Sequence, residues 1–319
     1  MSDTIVAWSW VPFALVAWAV LGDSGRMSTL LTVTLIWSFS HQPLTMLFIY
    51  GDRANPGRAR ALHLIAPAAF LGLIVLGMWT SPVAVAVIAA VWNAEHTIMQ
   101  RFGLTRRYGQ ADDLLRFERA MMLWWLVLAA TWAAADPRTG VWLDELRLGR
   151  RNRDGIEVLL DLQPAARVVL VPMVLWVAGL TVRWLRAERA LPAERVNPAK
   201  RSYVAATASL IAVMVIHPFV GLVAYVGSHA VEYQAFVTHT LDRKYGRRPE
   251  VVAVIAGPVR RLGSAPVVAG FTIVLLGTLY LARSTGLRLA ATYAALTLGA
   301  MHLFFDAYIW RRRRVTAIA

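Results

Sequence analysis

Polar residues form a stripe within an otherwise apolar stretch, Ser228–Gly246. If this stretch is an α-helix, His229, Glu232, Phe236 and His239 share one face, because three or four residues separate each from the next. An ionisable side chain at the centre of a bilayer costs about 2.5–3.5 kcal/mol even on the lenient insertion scale. Such a residue needs a partner or a function, so we expect this helix to contribute to a buried polar site.

Three further apolar stretches each carry a histidine, and two of them also carry an acid. Glu95 adjoins His96 in WNAEHTIMQ, and Asp306 follows His302 by four residues in MHLFFDAYIW. His41 lies in SFSHQPLTMLFIYG. Four separate apolar stretches therefore bring at least one histidine to membrane depth.

Histidines on several helices are typical of a metal site, because neutral imidazole is the commonest metal ligand in proteins. We predict a metal centre with the ligands His41, His96, His229 and His302. Ligating histidines usually donate their second N–H to a carboxylate, which fixes the ring. We expect that supporting role for Glu95, Glu232, Asp306 and His239. Tyr233 is the predicted catalytic residue, with its hydroxyl towards a bound oxygen species.

The remaining histidines differ in their expected depth or position. His239 lies ten residues after His229, about 15 Å along a helix, so one site cannot easily take both as ligands. His229 lies at a different expected depth from His41 and His302, so it stays open whether His229 or His239 is the metal ligand on this helix. His63 is expected at the membrane interface and His217 at a turn near the outer surface, outside the centre.

The donor set limits the identity of the metal. The chain contains no cysteine, which excludes disulfides, cysteine-ligated iron–sulfur clusters, covalent c-type haem and a cysteine nucleophile. Sites built from imidazole without thiolate suit iron, copper or zinc. A four-histidine centre within a membrane favours non-haem iron that handles O₂ and a lipid-soluble substrate.

The composition indicates an integral membrane protein. Of the 319 residues 58% are hydrophobic and only 16% are charged, against about a quarter in a soluble domain. The sequence predicts an all-α bundle of about ten transmembrane helices in a single domain, 1–319. A segment at about 136–166 is expected to lie on the outer surface as an amphipathic helix. The ten apolar runs of spanning length are 5–21, 28–50, 61–80, 83–100, 119–135, 167–185, 203–221, 223–242, 264–282 and 288–310.

The distribution of basic residues orients the bundle. With ten spans and both termini in the cytoplasm, most of the 33 lysines and arginines, including Arg101 and Lys200, fall in cytoplasmic segments. The net charge of +14 is then explained by these segments and by anionic lipid head groups rather than by nucleic acid. We expect a cytoplasmic membrane of the bacterial type.

The arrangement of histidines on separate apolar helices resembles that of the bacterial Brp/Blh group of membrane β-carotene dioxygenases. The stretches that carry the resemblance are SHQPLT around His41, NAEHTIMQ around His96, SHAVEY around His229 and HLFFDAYIWR around His302. The resemblance implies four histidines that hold iron and a polyene that is cleaved with O₂. Phe236, Phe304, Phe305 and Tyr308, with Tyr233, would then line an apolar tunnel for the substrate.

Two other functions fit the same residues. A b-type haem protein would use pairs of histidines as axial ligands and would show the Soret absorption of haem. A proton-coupled transporter would use Glu95, Glu232 and Asp306 as its proton path.

Topology is directly testable. Reporter fusions after Tyr50, after Tyr108 and at the C-terminus should all report a cytoplasmic location, because the basic residues accumulate on that side. A periplasmic result from any of the three fusions would contradict the ten-span arrangement.

Overall fold

The computed structural model describes residues 3–50, 58–108, 114–146, 150–246 and 255–312. Within these ranges the chain is helical and contains no β-strand, so the prediction of an all-α protein is confirmed. Short 3₁₀ and π turns occur at Ala193–Arg195 and Asp242–Gly246. The α-helices are α1 Asp3–Ala7, α2 Trp10–Ala19, α3 Ser24–His41, α4 Leu44–Tyr50, α5 Arg58–Thr80, α6 Pro82–Tyr108, α7 Leu115–Ala135, α8 Arg138–Glu145, α9 Arg150–Asp161, α10 Gln163–Arg189, α11 Pro198–Ile216, α12 Pro218–Leu241, α13 Ala256–Leu262, α14 Ser264–Ser284 and α15 Arg288–Arg312.

Six of the described helices are long and apolar enough to cross a membrane, which identifies an integral membrane protein. A seventh is obtained if α7 and α8, which meet at a bend of 78°, are taken as one span. The other predicted runs also form helices. The run 5–21 forms a shorter apolar helix, the run 28–50 is divided between α3 and α4, and polar residues interrupt the apolar character of α12. The count of ten spans and the cytoplasmic termini stay predictions. The six spanning segments are His63–Thr80, Pro82–Arg106, Gln163–Arg189, Pro198–Ile216, Ser264–Ala282 and Arg288–Asp306.

The outward faces of several spans are apolar, as lipid contact requires. On α5 the side chains of Leu64 and Trp79 are 76% and 84% exposed, and on α10 that of Val168 is 77% exposed. A water-soluble protein rarely exposes so many large apolar side chains together. Hydrocarbon is the solvent that suits these faces.

The described residues divide into two compact units. The first unit contains residues 1–34 and 86–229, and the second contains residues 35–85 and 230–319. The boundaries fall within α3, α6 and α12. That the whole chain acts as one domain stays a prediction.

In the first unit, a buried cluster of charges joins the ends of α7, α10 and α11. Lys200 Nζ lies 2.5 Å from Glu118 Oε1 and 3.0 Å from Glu188 Oε2, and all three side chains are buried. Trp184 Nε1 donates to Glu118 Oε1 at 3.1 Å. The α11 helix is placed by Asn197, which caps its first turn by accepting from the backbone N–H of Ala199. Lys200 therefore bridges two buried carboxylates, each of which also pairs with an arginine: Arg106 lies 3.5 Å from Glu118 Oε2, and Arg201 lies 3.3 Å from Glu188 Oε1.

The predicted amphipathic segment contains α8 and α9 and the start of α10. Arg153 on α9 pairs with Asp144 of α8 and, at 2.8 Å, with Glu157 of its own helix. Residues 147–149, between α8 and α9, lie outside the described part. Its described residues are helical but belong to more than one helix, and its amphipathic location on the outer surface stays a prediction.

In the second unit, a break divides the predicted run 28–50. Pro43 has no backbone N–H and its ring clashes with the preceding helical turn, so α3 ends at His41 and α4 begins at Leu44. The α15 helix packs closely against this break. A Cβ added at Gly299 would lie 2.9 Å from the side-chain oxygen of Gln42, so a larger residue there would displace Gln42.

Removal of the central cation should be costly. We expect Lys200→Met to lower the unfolding free energy by about 3–5 kcal/mol, because Glu118 and Glu188 would lose the buried cation that they share and keep only the more distant Arg106 and Arg201. Thermal and chemical unfolding in detergent measures the change. Arg186→Met on an exposed part of α10 is the control and should change stability by about 0.5 kcal/mol or less.

The double variant Lys200→Met, Glu118→Gln separates charge from packing. It should recover part of the lost stability, because Glu118 would no longer carry a charge that has lost its nearest cation. Equal effects of Lys200→Met and Arg186→Met would show that the buried cluster does not stabilise the fold.

Candidate metal centre

The second unit brings three of the predicted site residues together. His41 ends α3 and His302 lies within α15, both fully buried, with ring centroids 4.9 Å apart in an edge-to-face arrangement. The ring of Tyr233, from α12, lies 4.9 Å from that of His41 and 5.0 Å from that of His302. The sequence predicted the two histidines as ligands and Tyr233 as the catalytic residue, and here the three rings are mutual neighbours.

A hydrogen-bond network supports these rings. Thr45 Oγ1 lies 2.7 Å from His302 Nδ1, donates to Asp306 Oδ1 at 2.9 Å and is hydrogen-bonded to the hydroxyl of Tyr233. The Tyr233 hydroxyl also donates to Asp306 Oδ1 at 3.0 Å. Thr45, Tyr233, His302 and Asp306 are all buried.

The sequence placed Asp306 beside His302 correctly but missed Thr45. The i, i+4 spacing on α15 brings His302 Nδ1 and Asp306 Oδ1 to 3.9 Å, longer than a hydrogen bond. The hydroxyl of Thr45 bonds to both. Threonine is common in apolar helices, so its type carried no signal. Only its place four residues after His41, across Pro43, could have indicated it.

The first unit holds the other histidine pair. The rings of His96, on α6, and His229, on α12, lie 5.2 Å apart in an edge-to-face arrangement, and His229 is fully buried. Hydrogen bonds join the two helices around this pair. Gln100 donates to the backbone oxygen of His229 at 3.5 Å, and Tyr225 donates to that of Ala94 at 2.7 Å.

A buried arginine lies next to this second pair. Arg101 donates to Ser228 Oγ at 3.1 Å and to Thr207 Oγ1 at 3.4 Å, and its side chain is fully buried. The sequence assigned Arg101 to a cytoplasmic segment on the basis of its charge. Arg101 lies within α6, where its guanidinium bonds to α11 and α12, and its cytoplasmic location stays a prediction.

The predicted supporting residues differ in burial. Glu232 is buried and follows His229 by three residues on α12, whereas Glu95 is partly buried. His239 is exposed, while His229 is buried. The supporting roles of Glu95, Glu232 and His239 stay predictions. The side chain of Tyr308 lies outside the described part of the chain.

Buried histidines thus occur in groups that could hold a metal ion, as the sequence predicted. The donors are imidazole nitrogens, with Asp306 as a nearby carboxylate. This donor set fits iron, copper or zinc and does not distinguish among them.

The two histidines that the sequence set aside have aromatic neighbours. His63 is partly buried, and its ring lies 5.8 Å from Tyr50 and 5.6 Å from Phe305. His217 is buried between α11 and α12 and stacks on Trp142 of α8 at 4.1 Å. The guanidinium of Arg138 also lies over the ring of Trp142, 5.2 Å from its centre.

Comparisons of the chain with models of protein families, with curated proteins and with solved structures found no match. The resemblance to the Brp/Blh group stays a prediction.

The stacked His217 should make stability depend on pH. Burial lowers the pKa of His217 below its usual value and outweighs a backbone hydrogen bond that raises it; the charge of Arg138 lowers the pKa further, and that of Asp136 opposes this slightly. As the pH falls below about 6.5, the unfolded chain therefore binds a proton that the folded chain does not, and folding becomes less favourable.

Thermal unfolding in detergent between pH 8 and pH 5 measures this effect, with the range chosen to cross the ordinary histidine pKa of about 6.5. His217→Phe keeps an aromatic ring on Trp142 and cannot titrate, so it should lose less stability than the wild type on acidification. His239→Phe is the matched control at an exposed position and should retain the wild-type dependence. A His217→Phe curve parallel to the wild type would exclude His217 as the titrating group.

Proposed function

We propose that this protein is a membrane-embedded, non-haem metal oxygenase or oxidase that acts on a lipid-soluble substrate such as a polyene. The observation that carries the proposal is the cluster of His41, His302 and Tyr233. These three buried rings are in mutual contact, with Asp306 hydrogen-bonded to the Tyr233 hydroxyl. Burying ionisable groups of this kind at membrane depth is energetically costly, so their presence there indicates a function.

The proposed ligands are the four histidines of the two pairs, His41 with His302 and His96 with His229. Each pair is held by helices that hydrogen bonds fix in place, so the imidazoles are positioned before a metal arrives. Four neutral ligands favour a divalent ion, and the absence of cysteine removes the thiolate that would select zinc or an iron–sulfur cluster. Iron is the preferred metal, and copper or zinc fits the same donors.

The chain's own residues supply the remaining groups. When bound, the metal would supply the activation of O₂, which side chains alone cannot provide. The hydroxyl of Tyr233 is held by Asp306 and Thr45, so it is a fixed proton donor beside His41 and His302. Asp306 can accept that proton or return it.

The residues next to His302 are apolar, which suits a lipid-soluble substrate. Phe305 is fully buried, and the ring of Phe304 contacts those of Phe305 and Phe70 at 5.3 and 5.5 Å. Phe304 and Phe305 lie on α15 between His302 and Asp306. We assign the entry of substrate to the lipid phase because α5, which packs against α15, exposes large apolar side chains.

Metal analysis of the purified protein tests the proposal. After anaerobic loading with Fe(II), the wild type should hold one iron per chain, show no Soret band, and give a high-spin iron–nitrosyl EPR signal with NO as a substitute for O₂. Each of His41→Ala, His96→Ala, His229→Ala and His302→Ala should lose most of the metal, because loss of one ligand opens the coordination shell to water. His63→Ala and His217→Ala are the controls and should keep it.

The variants also distinguish one centre from two. If the four histidines form one centre, each single substitution removes the whole metal content; two independent sites would lose about half each. A Soret band would favour the b-type haem alternative. No metal in the wild type, or equal metal loss in all six variants, would contradict the proposal.

A further inference from the structure

We infer that Thr45 is a positioning residue that keeps His302 in the tautomer with hydrogen on Nδ1 and thereby presents Nε2 as the metal ligand. The inference deepens the proposed function and rests on it for the role of the metal. The tautomer itself is derived from the contacts of one hydroxyl group. No sequence feature assigned a role to Thr45.

The hydrogen-bonding capacity of a hydroxyl carries the argument. A threonine hydroxyl has one hydrogen to donate and two lone pairs with which to accept. Thr45 Oγ1 has three buried partners, namely Asp306 Oδ1 at 2.9 Å, His302 Nδ1 at 2.7 Å and the Tyr233 hydroxyl. Thr45 can therefore form three hydrogen bonds, one as donor and two as acceptor, and it has three partners.

The carboxylate decides how the hydrogens are arranged. An ionised carboxylate can only accept, so the single hydrogen of Thr45 goes to Asp306. The lone pairs of Thr45 are then left for its two other partners, and His302 Nδ1 must donate to one of them. The hydrogen of Tyr233 is then shared between Thr45 Oγ1 and Asp306 Oδ1, so Thr45 accepts from Tyr233 with its other lone pair.

Distance shows why Asp306 cannot fix the ring without Thr45. His302 Nδ1 and Asp306 Oδ1 are 3.9 Å apart, which is too long for a hydrogen bond. The carboxylate acts on the imidazole through the hydroxyl, a relay that keeps the polarising effect usual for histidine ligands. Thr45 reaches this position because the break at Pro43 starts a new helix at Leu44, directly before it.

The reverse arrangement makes a different prediction. If Thr45 donated to His302 Nδ1, then Asp306 would have to be protonated and donate to Thr45, since two oxygens at 2.9 Å repel without a hydrogen between them. His302 would then carry its hydrogen on Nε2, the nitrogen that the metal needs. The tautomer of His302 therefore separates the two arrangements.

Thr45→Val and Thr45→Ser provide the test. Valine has the shape of threonine without the hydroxyl, and serine keeps the hydroxyl without the methyl group. Thr105→Val is the matched control, because Thr105 is also fully buried and donates to a carbonyl of its own helix, Arg101 O, at 2.9 Å.

Two readouts are measured on the full-length protein. Magic-angle-spinning NMR with ¹⁵N-labelled histidine, with His302 assigned by the signal lost in His302→Ala, should show hydrogen on Nδ1 in the metal-free wild type and in Thr45→Ser. Thr45→Val should lose this preference. Fe(II) affinity should fall by about 10–100-fold in Thr45→Val and stay near wild type in Thr45→Ser and Thr105→Val.

The outcomes separate this inference from the proposed function. Hydrogen on Nε2 in the wild type, or a Thr45→Val protein with unchanged tautomer and affinity, would overturn the role of Thr45 even if iron binds. A wild type with hydrogen on Nδ1 that binds no Fe(II) would support the hydrogen-bond assignment and contradict the metal function. An affinity loss in Thr45→Ser equal to that in Thr45→Val would show that packing, rather than the hydroxyl, is responsible.

Discussion

The scarcity of water at membrane depth is the constraint on which this structure depends. A polar group that is removed from water must find its partners within the protein, because lipid tails can supply none. Lys200 meets this requirement by lying between Glu118 and Glu188, and Thr45 meets it with three partners for its three hydrogen-bonding positions. In both cases the partners come from different helices, so satisfying the polar group also fixes how those helices pack.

This constraint explains why the helices and the burial of the site could be predicted from the sequence. Apolar runs of spanning length are local features, and each predicted run coincides with one or more helices. Three histidines within such runs, His41, His229 and His302, are fully buried, whereas His239 near the end of its run is exposed. The i, i+4 spacing likewise placed Asp306 on the same face of α15 as His302.

The partners of the buried groups could not be predicted in the same way. Thr45 lies 257 residues from His302 along the chain, and a single sequence does not show which of many threonines meets that ring. The charge of Arg101 likewise gave no sign of its buried contacts with Ser228 and Thr207. The ten-span count treated residues 28–50 as one element, whereas Pro43 divides them. Pairing across helices is a tertiary property, and hydropathy contains no information about it.

The end of α3 at His41 also has an electrostatic consequence. The last carbonyl groups of a helix have no N–H donors of the next turn, and they give its C-terminus a partial negative charge of about half an electron. His41 is the last residue of α3, so its imidazole belongs to the turn where that charge accumulates. A positive charge held there is favoured by roughly 0.3–1 kcal/mol, and by up to about 2 kcal/mol when partly buried. If His41 held an ion with two accessible oxidation states, this attraction would lower its reduction potential, because it would stabilise the more highly charged form more strongly.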